Sequence, residues 1–320
     1  MNPRWDTTAS IEAATVQIVL LVVAAPLIAG LMRKVRCRME GRVGPRIAQP
    51  WLDLRKLASK ERTCPDNSSW VFSVAPLIFI STTLVICAIT PLVSTGSAQG
   101  KSADLFAIVF LFLLGSVALA LAGLDTGTAF GGMGASRAMT IGALSEPALL
   151  VAILALSIPA HSSNLQIIIT SAISHPLWLV TPQRLLAFGA FVIVIIAEAG
   201  RIPVDNPSTH LELTMIHEAM ILEYSGPDLA LIKLGGNLRL SILMGLLGSL
   251  FVPWGIASDP GAASLATGSA ALIAKIAVAG VSIAIFEVFA AKLRLFRVPE
   301  LLAGAFVLAV IATIATLASP

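Results

Sequence analysis

Long apolar stretches alternate with short polar ones along the chain. Each is about 20 residues, the length a helix needs to cross roughly 30 Å of hydrocarbon. The pattern predicts helices over 11–32, 70–91, 103–122, 138–159, 182–199, 236–257, 267–290 and 298–318. The fifth is short and begins with Pro182 and Arg184. Many Gly, Ala and Ser residues within the spans suit close helix contact, since lipid gives little hydrophobic drive to associate. Pro26, Pro76 and Pro147 are placed to kink or loosen their spans. These long runs exclude a β-barrel, whose strands alternate over about ten residues. The fold expected is an all-α integral membrane protein of about eight transmembrane helices, one membrane domain over 1–320. One shorter element breaks the pattern. After Pro50, the residues Trp51, Leu52, Leu54, Leu57 and Ala58 recur at helical spacing opposite Asp53, Arg55, Lys56 and Lys60, which predicts a short amphipathic helix in the membrane interface.

Composition agrees: 57% of residues are apolar and 12% charged, outside the range of a soluble domain. The basic residues give orientation. Arg33, Lys34, Arg36, Arg38, Arg42, Arg46, Arg55, Lys56, Lys60 and Arg62 crowd the first loop, 33–69. Arg137, Arg201, Lys233, Arg239, Lys292, Arg294 and Arg297 flank the other loops of that side, against Arg4, Lys101 and Arg184 opposite. The positive-inside rule then puts both termini outside and the large loops in the cytoplasm. Asp6 ahead of the first span and Glu12 at its start suit a retained helix rather than a cleaved signal.

Chemistry is confined to a few places. Cys37, Cys64 and Cys87 have no metal-ligand spacing, and there is no GxGxxG, P-loop or HExxH pattern. No directly bound cofactor or metal and no nucleic-acid partner is expected. In the first loop, the turn-rich GRVGPR and the residues Arg42, Arg46, Arg55 and Lys56 suggest a docking surface for a cytoplasmic partner; the simpler alternative is that they set topology and touch anionic lipid. The segment LDTGTAFGGMGASR reads as a flexible glycine-rich turn leading to Arg137, open to close approach by another chain. Glu146 lies about two turns into the fourth span, where an unpaired carboxylate is expensive or protonated. Lys275 in the seventh span and Glu287 near its end extend a possible ionisable network, which the sequence alone does not join.

The densest segment is EAGRIPVDNPSTHLELTMIHEAMILEYSG, in an acidic loop over 200–235. Acids beginning inside a membrane helix are a functional hypothesis by default. Glu198 and Arg201 are three residues apart and pair if the helix continues; Pro203 is expected to end it around Ile202, with Asp205 in the following turn. Ser208 or Thr209 would cap a new helix carrying Glu212, His210, His217 and then Glu223. The two histidines are possible proton relays, with a structural role as the alternative.

Four ordered motifs carry a resemblance: GRVGPRIAQPWLDLRKLASKE, the glycine segment ending at Arg137 with Glu146 following, the acidic segment, and FEVFAAKLRLFRVPELL. Over nearly its whole length the chain resembles the ND1-like membrane subunit of complex I and the corresponding membrane subunit of group 4 energy-converting [NiFe]-hydrogenases. Val204 replaces an aromatic residue of the complex I pattern, and Ser208 and His210 replace two glutamates. The string RIPVDNPSTHLELTMIHE is more similar to the formate hydrogenlyase and hydrogenase-4 branch. That resemblance implies a subunit of the cytoplasmic membrane of a prokaryote, without catalysis of its own. It would anchor a soluble hydrogenase arm and couple its reaction to proton or sodium movement. A Ni–Fe centre and iron–sulfur clusters would sit on large and small hydrogenase subunits and a ferredoxin-like subunit, beside antiporter-like membrane subunits. Glu146, Glu198, Asp205, Glu212, Glu223, Lys275 and Glu287 would serve ion coupling, with Arg137 and Arg201 added to the docking set. The alternative is the quinone-site subunit of a complex I-like NADH:quinone oxidoreductase.

Overall fold

The computed structural model describes residues 7–96, 102–176, 180–205, 216–291, 293 and 297–318. The elements in order are α1 (Thr7–Met39), α2 (Gln49–Ala58), α3 (Trp70–Ile89), α4 (Leu105–Asp125), α5 (Ala129–Ala160), α6 (Leu165–Ser174), α7 (Pro182–Glu198), α8 (His217–Met220), α9 (Gly226–Phe251), α10 (Ala262–Phe289) and α11 (Val298–Ala318). Seven of these, α1, α3, α4, α5, α9, α10 and α11, are long and apolar enough to cross a membrane. The expected fifth span, α7, has 17 residues, roughly 26 Å at 1.5 Å per residue, just short of the hydrocarbon thickness. One face of it, with Ala187, Ala190, Phe191, Val194 and Ile195, is fully buried among α5, α9 and α11, while Leu185 and Phe188 on the other face are exposed.

Several boundaries differ from those expected, each for a physical reason. The segment GGMGASR is helix, not a flexible turn, because α5 starts at Ala129, with Thr128 accepting from Gly131 N at 3.2 Å. Its glycines serve the chain's own packing. A Cβ on Gly131 would collide with Gly123 O, and one on Gly134 would stand 2.8 Å from Ala219 Cβ. Helix α9 begins at Gly226, ten residues before the expected start, with a proline in its first turn, where a missing N–H costs nothing. Its polar first turns bear Asp228, Lys233 and Asn237. Helix α6 was not anticipated; Asn164 Oδ1 caps it by accepting from Gln166 N at 2.9 Å.

Helix α7 stops at Glu198, four residues before Ile202. Gly200 has φ +55°, Arg201 N donates to Ile196 O at 3.0 Å, and Gly200 N donates to Ala197 O at 3.1 Å. That is a Schellman stop, which glycine adopts without strain. Helix α2 forms as expected. It lies along α1, with Leu54 buried and Trp51 Nε1 donating to Val23 O at 3.0 Å.

A buried polar clamp joins α1 to the end of α3. Gln17, 4% exposed, donates through Nε2 to Cys87 O at 2.5 Å and Thr90 O at 2.7 Å. Its Oε1 accepts from Leu92 N at 3.2 Å and Val93 N at 2.9 Å. The last carbonyls of α3 are thereby satisfied where water is scarce.

Candidate functional site

The ends of α1, α4, α5, α7, α9 and α10 surround a cavity of about 1020 Å³, into which the loops after α1 and α7 also reach. Its wall divides into two charged groups.

The inner group is built on α5, α7 and α9. Glu146 is 5% exposed, and its Oε1 has no hydrogen-bond partner. Glu198, from the last turn of α7, accepts from Ser145 Oγ at 2.5 Å. Arg239 donates through one guanidinium nitrogen to Ser116 Oγ at 2.9 Å and through another to Phe112 O. Its guanidinium lies 4.9 Å and 5.0 Å from the ring centres of Phe79 and Phe112, in cation–π range. Glu146, Glu198 and Arg239 thus bring two carboxylates and one cation to the same cavity wall.

The outer group centres on Glu287, whose side chain is 1% exposed. Arg201 reaches its Oε1 at 3.5 Å, and Arg36 reaches its Oε2 at 3.9 Å. Arg36 also holds Glu40 at 3.0 Å. Burial pushes the Arg201 guanidinium below its usual value; Glu287 opposes that shift, while Arg33 and Arg36 add to it. The chain after Gly200 is thus drawn toward α10 rather than folded back on Glu198, and the expected Glu198–Arg201 pair does not form. Asp205, 3% exposed, accepts from Ile216 N at 3.2 Å and His217 N at 3.3 Å, with His217 Nδ1 3.7 Å from its Oδ2.

Of the residues singled out from sequence, Glu146, Glu198, Arg201, Asp205, His217 and Glu287 line this one cavity. Arg42 and Lys56 stand at its rim, both exposed, whereas Arg46 and Arg55 are exposed outside it. Arg137 is half-buried on α5, outside the lining. Lys275 lies on α10 away from the cavity. Glu212 and His210 fall outside the described residues. Glu223 is exposed, and its neighbours form a latch between loops. Tyr224 stacks on Phe72 at 4.0 Å and donates to Phe72 O at 2.8 Å. Ser225 Oγ accepts from Thr63 N at 2.9 Å, and Arg62 Nε meets Asp228 at 2.6 Å. Burial, then the negative charges of Asp228 and Asp125, push the Tyr224 phenol above its ordinary value.

Sequence reasoning missed the role of Arg239 by treating it as a loop flank. Its signal was a cation between Leu238 and Leu240 in an apolar helix. Among the described residues, no group of three His, Cys, Asp or Glu is placed to hold a metal.

Comparison with known proteins places this geometry in context. The family model described as NADH dehydrogenase matches residues 11–318. Formate hydrogenlyase subunit 4 of Escherichia coli (strain K12) is 32% identical over 95% of this chain and 98% of its own length. Hydrogenase-4 component C of the same organism is 36% identical over 82% of each. An H-type subunit of the NADH-quinone oxidoreductase of Syntrophobacter fumaroxidans is 30% identical over 76% of each. The fold matches a chain of the membrane-bound sulfane sulfur reductase, an archaeal respiratory membrane complex. The TM-score is 0.81, with 19% identity over 96% of this chain and 99% of that one. The chain is a multi-pass membrane protein that belongs to the NADH dehydrogenase family.

Proposed function

We propose that the chain is the membrane subunit of an energy-converting [NiFe]-hydrogenase of the formate hydrogenlyase type. In this reading it lies in the cytoplasmic membrane with both termini outside. It carries the soluble large and small hydrogenase subunits and an iron–sulfur subunit on its basic loops, and adjoins antiporter-like membrane subunits. Its task is to couple their redox reaction to proton or sodium movement; the Ni–Fe centre and clusters stay on the partners. The observation that carries the reading is the pair of charged groups on one cavity. Glu146, Glu198 and Arg239 sit within the helices, and Glu287, Arg201 and Arg36 sit where a docked partner reaches. In this reading, charge arriving at the outer group shifts the protonation balance of the inner one across the cavity. Similarity to formate hydrogenlyase subunit 4 along nearly both full lengths supports the branch.

Glu146→Gln is the direct test. The variant is expected to assemble and to keep hydrogenase activity with an artificial dye, while membrane potential generated per electron falls. An unchanged potential per electron would return Glu146 to a structural role. A second reading, a quinone-site subunit, draws on the cavity's size and its aromatic side chains Phe79 and Phe112. The two readings part on the soluble large subunit that co-purifies, which holds four Ni–Fe cysteines only in the first.

A further inference from the structure

A second cavity, of about 590 Å³, lies at the other end of the bundle. Its walls are the last turns of α5, the first turn of α7 and the end of α11. It shares no lining residue with the central cavity, which takes the first half of α5 and the last turn of α7.

Arg184 is the charge in this wall. It stands in the first turn of α7, where a membrane helix enters the headgroup region, yet the protein itself leaves it only 7% exposed. One guanidinium nitrogen donates to Leu250 O, and the group lies 5.8 Å from the ring centre of Phe251. Its Nε has no partner, and no carboxylate among the described residues acts on it. Oε1 of the adjacent Gln183, which also lines the cavity, is a buried acceptor without a partner. Helix α7 itself starts with no side-chain cap. Asp104 caps α4 at this end, but it accepts from Phe106 N at 2.9 Å and Ser163 Oγ at 2.5 Å and does not line the cavity.

A buried cation with an unmade hydrogen bond is costly and calls for an anion. The remaining walls say what carries that anion. Ala155, Leu156, Ile158 and Pro159 give an apolar side. The rim continues into exposed apolar surface at Leu317, 68% exposed, and at Leu185 next to Arg184. A charged head and an apolar tail are thus offered side by side, at the depth where a lipid has both.

We infer that this cavity binds an anionic phospholipid whose headgroup carries a hydroxyl. The phosphate accepts from the Arg184 guanidinium, aided by the positive end of α7. The hydroxyl donates to Gln183 Oε1, and an acyl chain lies along Leu156, Ile158 and Leu317. The inference needs only a chain that crosses a membrane, so it stands apart from the hydrogenase reading.

The test places the whole purified complex in nanodiscs of phosphatidylcholine with a trace of phosphatidylglycerol bearing a photoactivatable acyl chain. Label is expected on this chain at 155–159 and 316–317. Phosphatidylcholine with the same photoactivatable chain is expected to label these segments about tenfold less. Arg184→Gln should lower phosphatidylglycerol labelling by a similar factor, the scale of one charge-assisted hydrogen bond. Equal labelling by the two lipids would overturn the inference on the unsubstituted chain, so the test does not depend on the variant assembling. Unchanged labelling in an assembled Arg184→Gln complex would overturn it too. Excess inorganic phosphate is expected not to compete; competition would assign the site to a free anion instead of a lipid.

Discussion

Removing the acid from the outer group should loosen the joint after α7. Glu287 is the only carboxylate placed against Arg201 among the described residues, and both are largely withdrawn from solvent, at 1% and 17% side-chain exposure. Glu287→Gln leaves a buried guanidinium without its counter-charge, a change that typically costs about 3–5 kcal/mol. The separations of 3.5 and 3.9 Å are ion-pair rather than tight hydrogen-bond distances, and Arg36 retains Glu40 at 3.0 Å. The low end, about 3 kcal/mol, is therefore appropriate, equivalent to roughly 100-fold more of the opened loop.

Val204 reports that opening, because it is 1% exposed and packs in a cluster with Ile216, Val298 and Leu302. With Cys37 and Cys64 replaced by serine, Val204→Cys should react with a membrane-impermeant maleimide about 100-fold faster when Glu287→Gln is added, since labelling tracks the open population. The double change Arg201→Met with Glu287→Leu should recover most of the protection, because neither buried charge then lacks a partner. A labelling rate within about threefold of the parent would refute the assignment of that interaction strength.

Three further outcomes follow from other contacts. Reversing Arg42 and Arg46 to glutamate should leave the chain in the membrane but release the soluble subunits on gentle purification; a retained arm with normal activity would end the docking assignment. Gln17→Leu leaves Cys87 O and Val93 N without that partner, while Thr90 O and Leu92 N keep each other at 3.0 Å, a loss of about 3 kcal/mol. In detergent that should lower the thermal midpoint by on the order of 5 °C, and a shift below about 1 °C would contradict it. Because the folded Tyr224 phenol titrates above its unfolded value of about 10, its stabilisation is complete below that pH and is lost as pH rises past it. Tyr224→Phe should cost about 1 kcal/mol at neutral pH and flatten the alkaline fall in thermal midpoint, which a midpoint series from about pH 8 to 11 would detect.

The spans were legible because lipid imposes a length and an apolar composition that few other environments demand. Helix α2 was legible from spacing alone, and Glu146 from its depth. The misread start of α5 has one cause: glycine at 131 and 134 reads as turn chemistry, whereas it permits helices α4, α5 and α8 to touch. The late start given to α9 then hid Arg239 among loop charges. Pairings such as Arg201 with Glu287, or Gln17 with the end of α3, join distant parts of the chain. Periodicity carries information about a residue's own helix face, not about which other helix meets it.

The two ends of the basic first loop are fastened differently, and the difference bears on how a docked partner could be felt. The end of the first loop is latched to α9 by Arg62–Asp228, Thr63–Ser225 and Tyr224 over Phe72. Its beginning is the extension of α1 that carries Arg36. That arginine faces two acids at once: half-buried Glu40 at 3.0 Å and buried Glu287 at 3.9 Å. A partner carboxylate drawing Arg36 outward would leave Glu287 with Arg201 alone, and so change the charge at one wall of the cavity whose other wall is Glu146. In the proposed coupling, that change of charge at the loop is the signal passed across the cavity, and it requires only a side chain to move.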